Sequence, residues 1–206
     1  MDLQTLKQKM DEAHYIYDET LATVLAVALQ LGRPLLIEGA AGVGKTEIAK
    51  VMAAALDRDL VRLQCYEGLD ESKALYEWNY QKQLLSIQVN MNDGDKEALT
   101  RSLFSDDYLL ERPLLRSIRS EKPVVLLIDE IDKADEEFEA FLLEILSDMQ
   151  VSIPEIGTIR ANSIPFVVLT SNRARPLSDA LRRRCAYLHI EYPDMDTSAA
   201  PIPVIK

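Results

Sequence analysis

Cysteine and histidine are scarce in this chain, with two of each among 206 residues. Cys65 and Cys185 lie far apart with no paired spacing, which argues against a disulfide framework and against a zinc site. His14 and His189 are equally isolated and read as packing or surface residues rather than ligands. No apolar run approaches the ~20 residues that a membrane helix needs, and the acidic N-terminus is unlike a signal peptide. A soluble cytoplasmic protein is expected. Positive charge is short as well: 23 Lys and Arg against 34 Asp and Glu leave a formal charge of −11, without the broad basic footprint that nucleic-acid phosphates require. No internal repeat is evident. The length and a hydrophobic fraction of 48% suit one globular domain with a large core.

Glycine is also rare, yet three of the seven glycines fall in one short stretch, PLLIEGAAGVGKT, from Pro34 to Thr46. An apolar run empties there into a loop that matches G-x-x-x-x-G-K-[ST] at Gly39, Gly44, Lys45 and Thr46. Backbone N–H groups can converge on phosphate oxygens only where few side chains obstruct them, and a helix starting near Lys45 adds unpaired donors and the positive end of its dipole. The spacing therefore predicts a strand, a phosphate-binding loop and a helix. Gly39, Ala40, Ala41, Gly42, Val43, Gly44, Lys45, Thr46 and Glu47 would surround the anion, with Lys45 on the β and γ phosphates and Thr46 on Mg²⁺.

The rest of the chain reads as alternating helices and strands. Leu3, Leu6 and Met10 mark a first amphipathic helix of modest burial, and Asp18 and Gly32 bracket a second. Leu60 to Cys65 predicts a strand, Glu71 to Trp78 a helix, Leu84 to Val89 a strand and 90–95 a loop. Residues 66–107 together form an expected loop insertion. Pro113 starts or kinks a helix over 108–119, and Pro123 to Ile128 is a continuous apolar run of the kind buried on both faces of a parallel sheet. The stripe Phe138, Phe141, Leu142, Ile145, Leu146 and Met149 predicts a core helix. A hairpin is expected near 150–161, a buried strand over Phe166 to Leu169, a short helix capped by Ser178 and a last strand over Ala186 to Glu191. Residues 1–192 would form the domain, and 193–206, rich in Pro, Ala, Ser and Thr, a loose tail.

Ligand sites in sheets of this kind lie at the carboxyl ends of the strands. The glycine loop, the pair Asp129 and Glu130, and Asn172 all follow expected strands, which predicts one shared site. Asp129, backed by an apolar strand, suits Mg²⁺, and Glu130 suits the orientation of an attacking water. Asp132 and Asp135 are expected to be solvent-exposed or to cap a helix.

In this order and with these separations, GAAGVGKT, LLIDE and TSN resemble the Walker A, Walker B and sensor 1 elements of AAA+ ATPases. GRPLLIEGAAGVGKTEIAK, LLIDEIDKADEEFEAFLLEILSDMQVSIPEIGTIRA and LSDALRRRC resemble the MoxR branch, and within it the CoxD-type accessory ATPases of carbon monoxide dehydrogenase maturation. The resemblance, from about His14 to Pro193, implies a P-loop αβα sandwich and Mg²⁺-dependent ATP hydrolysis that remodels or matures a protein client. It also implies an arginine finger at Arg184, with Arg183 the neighbouring candidate. A homo-oligomeric, hexameric ring and a von Willebrand A-type partner belong to the same implication. The family's C-terminal helical lid has no counterpart after the last strand, so a core without a lid is expected. Two other readings stand beside this one: a nucleotide-gated binding module with negligible turnover, and a clamp-loader or helicase-like motor on nucleic acid, which the acidic charge disfavours.

Overall fold

The computed structural model describes residues 1–90 and 102–192. Five strands, β1 (Leu35–Gly39), β2 (Leu60–Gln64), β5 (Val125–Asp129), β8 (Phe166–Ser171) and β9 (Ala186–Ile190), form one parallel sheet in the order β2-β5-β8-β1-β9. The chain thus starts near one edge, crosses to the other, steps back strand by strand to β8 and finally jumps over β1. β8 consequently lies between the strand that feeds the glycine loop and the strand that ends in the two carboxylates.

β1, β5 and β8 are buried along their whole length. Successive side chains of a strand point to opposite faces, so an unbroken apolar run supplies two cores at once. Leu35, Ile37, Val125, Leu127 and Val168 enter one core with α1 (Leu3–Glu12), α2 (Glu19–Leu31) and α3 (Lys45–Leu56). Leu36, Leu126, Ile128, Val167 and Leu169 enter the other. That second core is completed by α4 (Glu71–Ala74), α6 (Pro113–Arg119), α7 (Glu136–Asp148), α8 (Asp179–Arg184) and the hairpin of β6 (Gln150–Ile153) and β7 (Gly157–Arg160). Leu6 and Met10 of α1 have no exposed surface, so this helix is buried more deeply than its polar composition suggests.

Local signals act where expected. Asp18 Oδ1 accepts from Leu21 N at 2.7 Å, Asp135 Oδ1 from Phe138 N at 2.8 Å, and Gly32 ends α2 in the left-handed conformation. Pro113 occupies the first turn of α6 rather than kinking it.

The stretch expected as a loop insertion is more ordered than that. The helix over Glu71 stops at Ala74, and β3 (Tyr76–Trp78) pairs antiparallel with β4 (Leu109–Glu111). Leu84 to Val89, expected as a strand, belongs to α5 (Tyr80–Asn90). The correction has one local and one longer-range cause: Asn79 Oδ1 accepts from Lys82 N at 3.0 Å, and buried Gln83 donates from Nε2 to Leu103 O at 2.6 Å. A cap and one buried amide outweigh a short apolar run whose Leu84, Leu85 and Val89 stay exposed. The expected loop from residue 91 to 95 and the tail over 193–206 lie outside the described residues. Among the described residues no helix is long and apolar enough to cross a membrane.

Leu127→Ala, at a position with no exposed surface, should cost about 2–5 kcal/mol in urea unfolding. Leu84→Ala, at 59% exposure, should stay within ~0.5 kcal/mol of the parent.

Candidate active site

The loop between β1 and α3 uses its glycines for two different reasons. At Gly42 (φ +85°) and Gly44 (φ +91°) the backbone is left-handed, a conformation that side chains disfavour. Gly39 has an ordinary φ but no room: a Cβ there would lie 2.3 Å from the carbonyl oxygen of Ile190 on β9. No side chain caps α3, whose first residue is Lys45. Lys45 is 6% exposed, and its Nζ donates to the carbonyls of Gly39 (2.8 Å) and Ala40 (2.6 Å). Burial pulls its pKa down, while the nearby carboxylates of Asp132, Asp129 and Glu130 oppose that shift.

A cavity of about 280 Å³ opens on this loop. It is lined by Ala41, Gly42, Gly44, Lys45, Thr46 and Glu47, by Asp129 and Glu130 at the end of β5, and by Thr170 and Asn172 at the end of β8. Three strand ends therefore contribute to one space. Thr46 Oγ1 donates to Asp129 Oδ1 at 3.1 Å, so a hydroxyl and a carboxylate stand side by side as hard oxygen ligands. That pair fits Mg²⁺, which takes one or two protein oxygens and fills its shell from phosphate and water. Asn172 Nδ2 donates to Glu130 Oε1 at 3.2 Å.

Several residues that sequence reasoning overlooked complete the cluster. Thr170 Oγ1 donates to Asp129 Oδ1 at 2.5 Å and accepts from Glu130 N at 2.9 Å, which holds Glu130 in its left-handed backbone (φ +57°). From β2, Arg62 pairs with Asp129 Oδ2 at 2.5 Å, and Gln64 donates to Glu130 Oε2 at 2.9 Å. Lys133 reaches the same Glu130 oxygen at 2.6 Å. The only sequence signal of Arg62 and Gln64 was their place in an expected strand, since its pairing with β5 is set by the tertiary structure. Asp132, expected to be exposed or a cap, is instead 4% exposed and accepts from Ala174 N at 2.8 Å. The reason is tertiary: the turn after β8 folds over it. Cys65, whose backbone N donates to Asp129 O, has its thiol pushed up to about 12 by burial, so it offers no nucleophile.

Arg183 and Arg184 lie outside this cavity, exposed at the end of α8, and have no partner among the described residues. Arg182 stacks over Tyr187, 5.7 Å from the ring centre.

A family model of the AAA domain, dynein-related subfamily, matches residues 34–185, a span from the start of β1 to the end of α8. The chain belongs to the AAA domain family. An uncharacterised protein of Staphylococcus saprophyticus is similar, 25% identical over 195 residues that cover 91% of this chain and 66% of that protein. One from Staphylococcus aureus strain RF122 is 23% identical over 185 residues, 87% of this chain and 63% of its own. The chain thus spans slightly less than two thirds of the length of these relatives. A solved structure from Cytophaga hutchinsonii, provisionally named an ATPase, superposes with a TM-score of 0.61 at 20% identity, over 94% of this chain and 53% of that one. It supports the fold of the AAA domain.

The loop geometry separates two kinds of glycine requirement in this AAA domain. Gly42→Ala should cost about 1–2 kcal/mol through backbone strain alone, because nothing lies within 4 Å of the added carbon. Gly39→Ala, which meets the backbone of Ile190, should cost more in urea unfolding.

Proposed function

We propose that this AAA domain binds ATP with Mg²⁺ and hydrolyses it. The observation that carries the reading is the convergence of Lys45, the Thr46–Asp129 pair and the Asn172–Glu130 pair on one cavity at the carboxyl ends of β1, β5 and β8. The loop is then the Walker A element, with the backbone of residues 39–47 and Lys45 receiving the phosphates, while Asp129 and Glu130 form Walker B. Thr46 and Asp129 would hold Mg²⁺, which would supply charge neutralisation for the phosphates. Glu130 orients water, and Asn172, as sensor 1, holds Glu130 in place. Each group leaves a present partner to do this: Lys45 gives up the Gly39 and Ala40 carbonyls, and Glu130 exchanges Gln64 and Lys133 for water.

Exposed and unpartnered among the described residues, Arg184 is the candidate to complete a neighbouring copy's site, with Arg183 as the alternative. A homo-oligomeric ring, remodelling of a protein client, and the MoxR-type kinship with CoxD-like maturation factors extend the same reading. The engagement of both carboxylates favours a second reading, in which the domain is a nucleotide-gated binding module that turns over slowly. Phosphate release with and without Mg²⁺ separates the two.

Lys45→Ala should abolish nucleotide binding, whereas Glu130→Gln should bind and not hydrolyse. With ATP at a hundred times Kd the fold gains about 2.7 kcal/mol, a melting rise of roughly 5–10 °C for a domain of this size. Glu130→Gln keeps that rise and Lys45→Ala loses it; an equal rise in the Lys45 variant would remove the loop from the nucleotide site.

Arg184→Ala should bind ATP normally and lose about 10³-fold in rate. Mixing it with Lys45→Ala should restore part of the activity, because one subunit then supplies the pocket and the other the arginine. Arg183→Ala is the control. Full activity of the Arg184 variant at every protein concentration would favour a self-contained monomeric site.

A further inference from the structure

Arg173 directly follows Asn172 and adopts a left-handed backbone (φ +61°), which is unfavourable for any residue but glycine. Its backbone N donates to Ser171 Oγ at 3.0 Å, and its side chain is held as well. Its Nε donates to Glu38 Oε2 at 3.2 Å, its Nη2 to Tyr187 Oη at 2.8 Å, and the Tyr187 hydroxyl donates to the same Glu38 oxygen at 2.9 Å, so the three side chains close a triangle. The triangle ties the turn after β8 to β1 and β9. Glu38 is 6% exposed and stands immediately before Gly39, in a strand whose other side chains are apolar. An apolar residue would fill that position without the desolvation of a carboxylate, and an unneutralised carboxylate there would repel phosphate.

The far side of the turn is also fixed. Ala174 N donates to Asp132 Oδ2 at 2.8 Å, and Arg175 Nε to Ala134 O at 2.7 Å, both toward the segment that follows β5. Asn172 stands between the end of β8 and these two anchorages, with its amide on Glu130.

We propose that Arg173 is a positioning residue which, gripped by Glu38 and Tyr187, aims the Asn172 side chain at Glu130. The consequence for catalysis rests on the proposed roles of Asn172 and Glu130 in hydrolysis; the positioning itself does not. The guanidinium fork suits the task because two donors in one plane fix rotation as well as distance.

Two measurements on the full chain test this. The first needs no turnover: the Asn172 side-chain amide resonance, assigned by its loss in Asn172→Ala, should move in Arg173→Ala and in Tyr187→Phe toward its position in Glu130→Ala. An unmoved resonance in Arg173→Ala overturns the proposal whether or not the protein hydrolyses ATP. A moved resonance in a protein without turnover upholds the positioning and overturns only the hydrolytic reading. In an active parent, Arg173→Ala should lower kcat at least tenfold while the Kd for ADP stays within twofold. Glu38→Gln should do the same, the double variant should be no worse than either single one, and Arg173→Lys should recover part of the loss. Arg173→Gly is the sharpest control, because glycine accepts the left-handed backbone without the guanidinium. Parental kcat in Arg173→Gly, or a loss confined to Kd, would overturn the proposal in favour of backbone shape or charge neutralisation.

Discussion

The placement of β8 between β1 and β5 is the constraint on which the rest of the structure depends. Neighbouring strands are about 4.8 Å apart, so a strand in this position puts the residues at its exit within reach of both the glycine loop and the two carboxylates. Thr170 and Asn172 can therefore bond Asp129 and Glu130, while the next residue, Arg173, reaches back to Glu38 on β1. Such a central strand must be apolar on both faces, which β8 satisfies through Phe166 to Leu169. The two cores and the site are thus consequences of one strand order.

A hydroxyl links the parts at that junction. Thr170 Oγ1 donates to one carboxylate and accepts from the backbone of the other, so the two acids differ in environment. Asp129 is buried and accepts from Thr46, Thr170 and Arg62, whereas Glu130 turns outward on a left-handed backbone toward Asn172, Gln64 and Lys133. Buried polar groups without partners are costly, and this network satisfies its acids with the protein's own donors. A ligand with phosphate and metal would have to compete with those donors. Affinity for such a ligand would then be the difference between two bonded arrangements.

Much of this was legible in the sequence, and for identifiable reasons. The loop announced itself because its glycines answer a backbone requirement. The buried strands did so because an apolar run long enough to fill both faces of a sheet, ending abruptly in carboxylates or in Thr-Ser-Asn, marks the point where a strand leaves the core. The caps at Asp18, Asp135 and Ser178 were visible because capping depends on only three or four neighbouring residues. Local propensity misled in α5, where the Asn79 cap and the bond from Gln83 to the distant Leu103 make a helix of a stretch that reads as a strand.

Residue types, spacing and order along the chain were enough to determine the sheet class and the candidate site residues Lys45, Thr46, Asp129, Glu130 and Asn172. These rest on chemistry repeated within a few residues, which a linear reading can see. Only the tertiary structure decided that β8 lies between the other two strands, that Gly39 is glycine because of Ile190, that Arg62 and Gln64 meet the carboxylates, and that Asp132 is buried. Each of those facts joins residues far apart in the chain, where pattern carries no information and packing alone sets the distance.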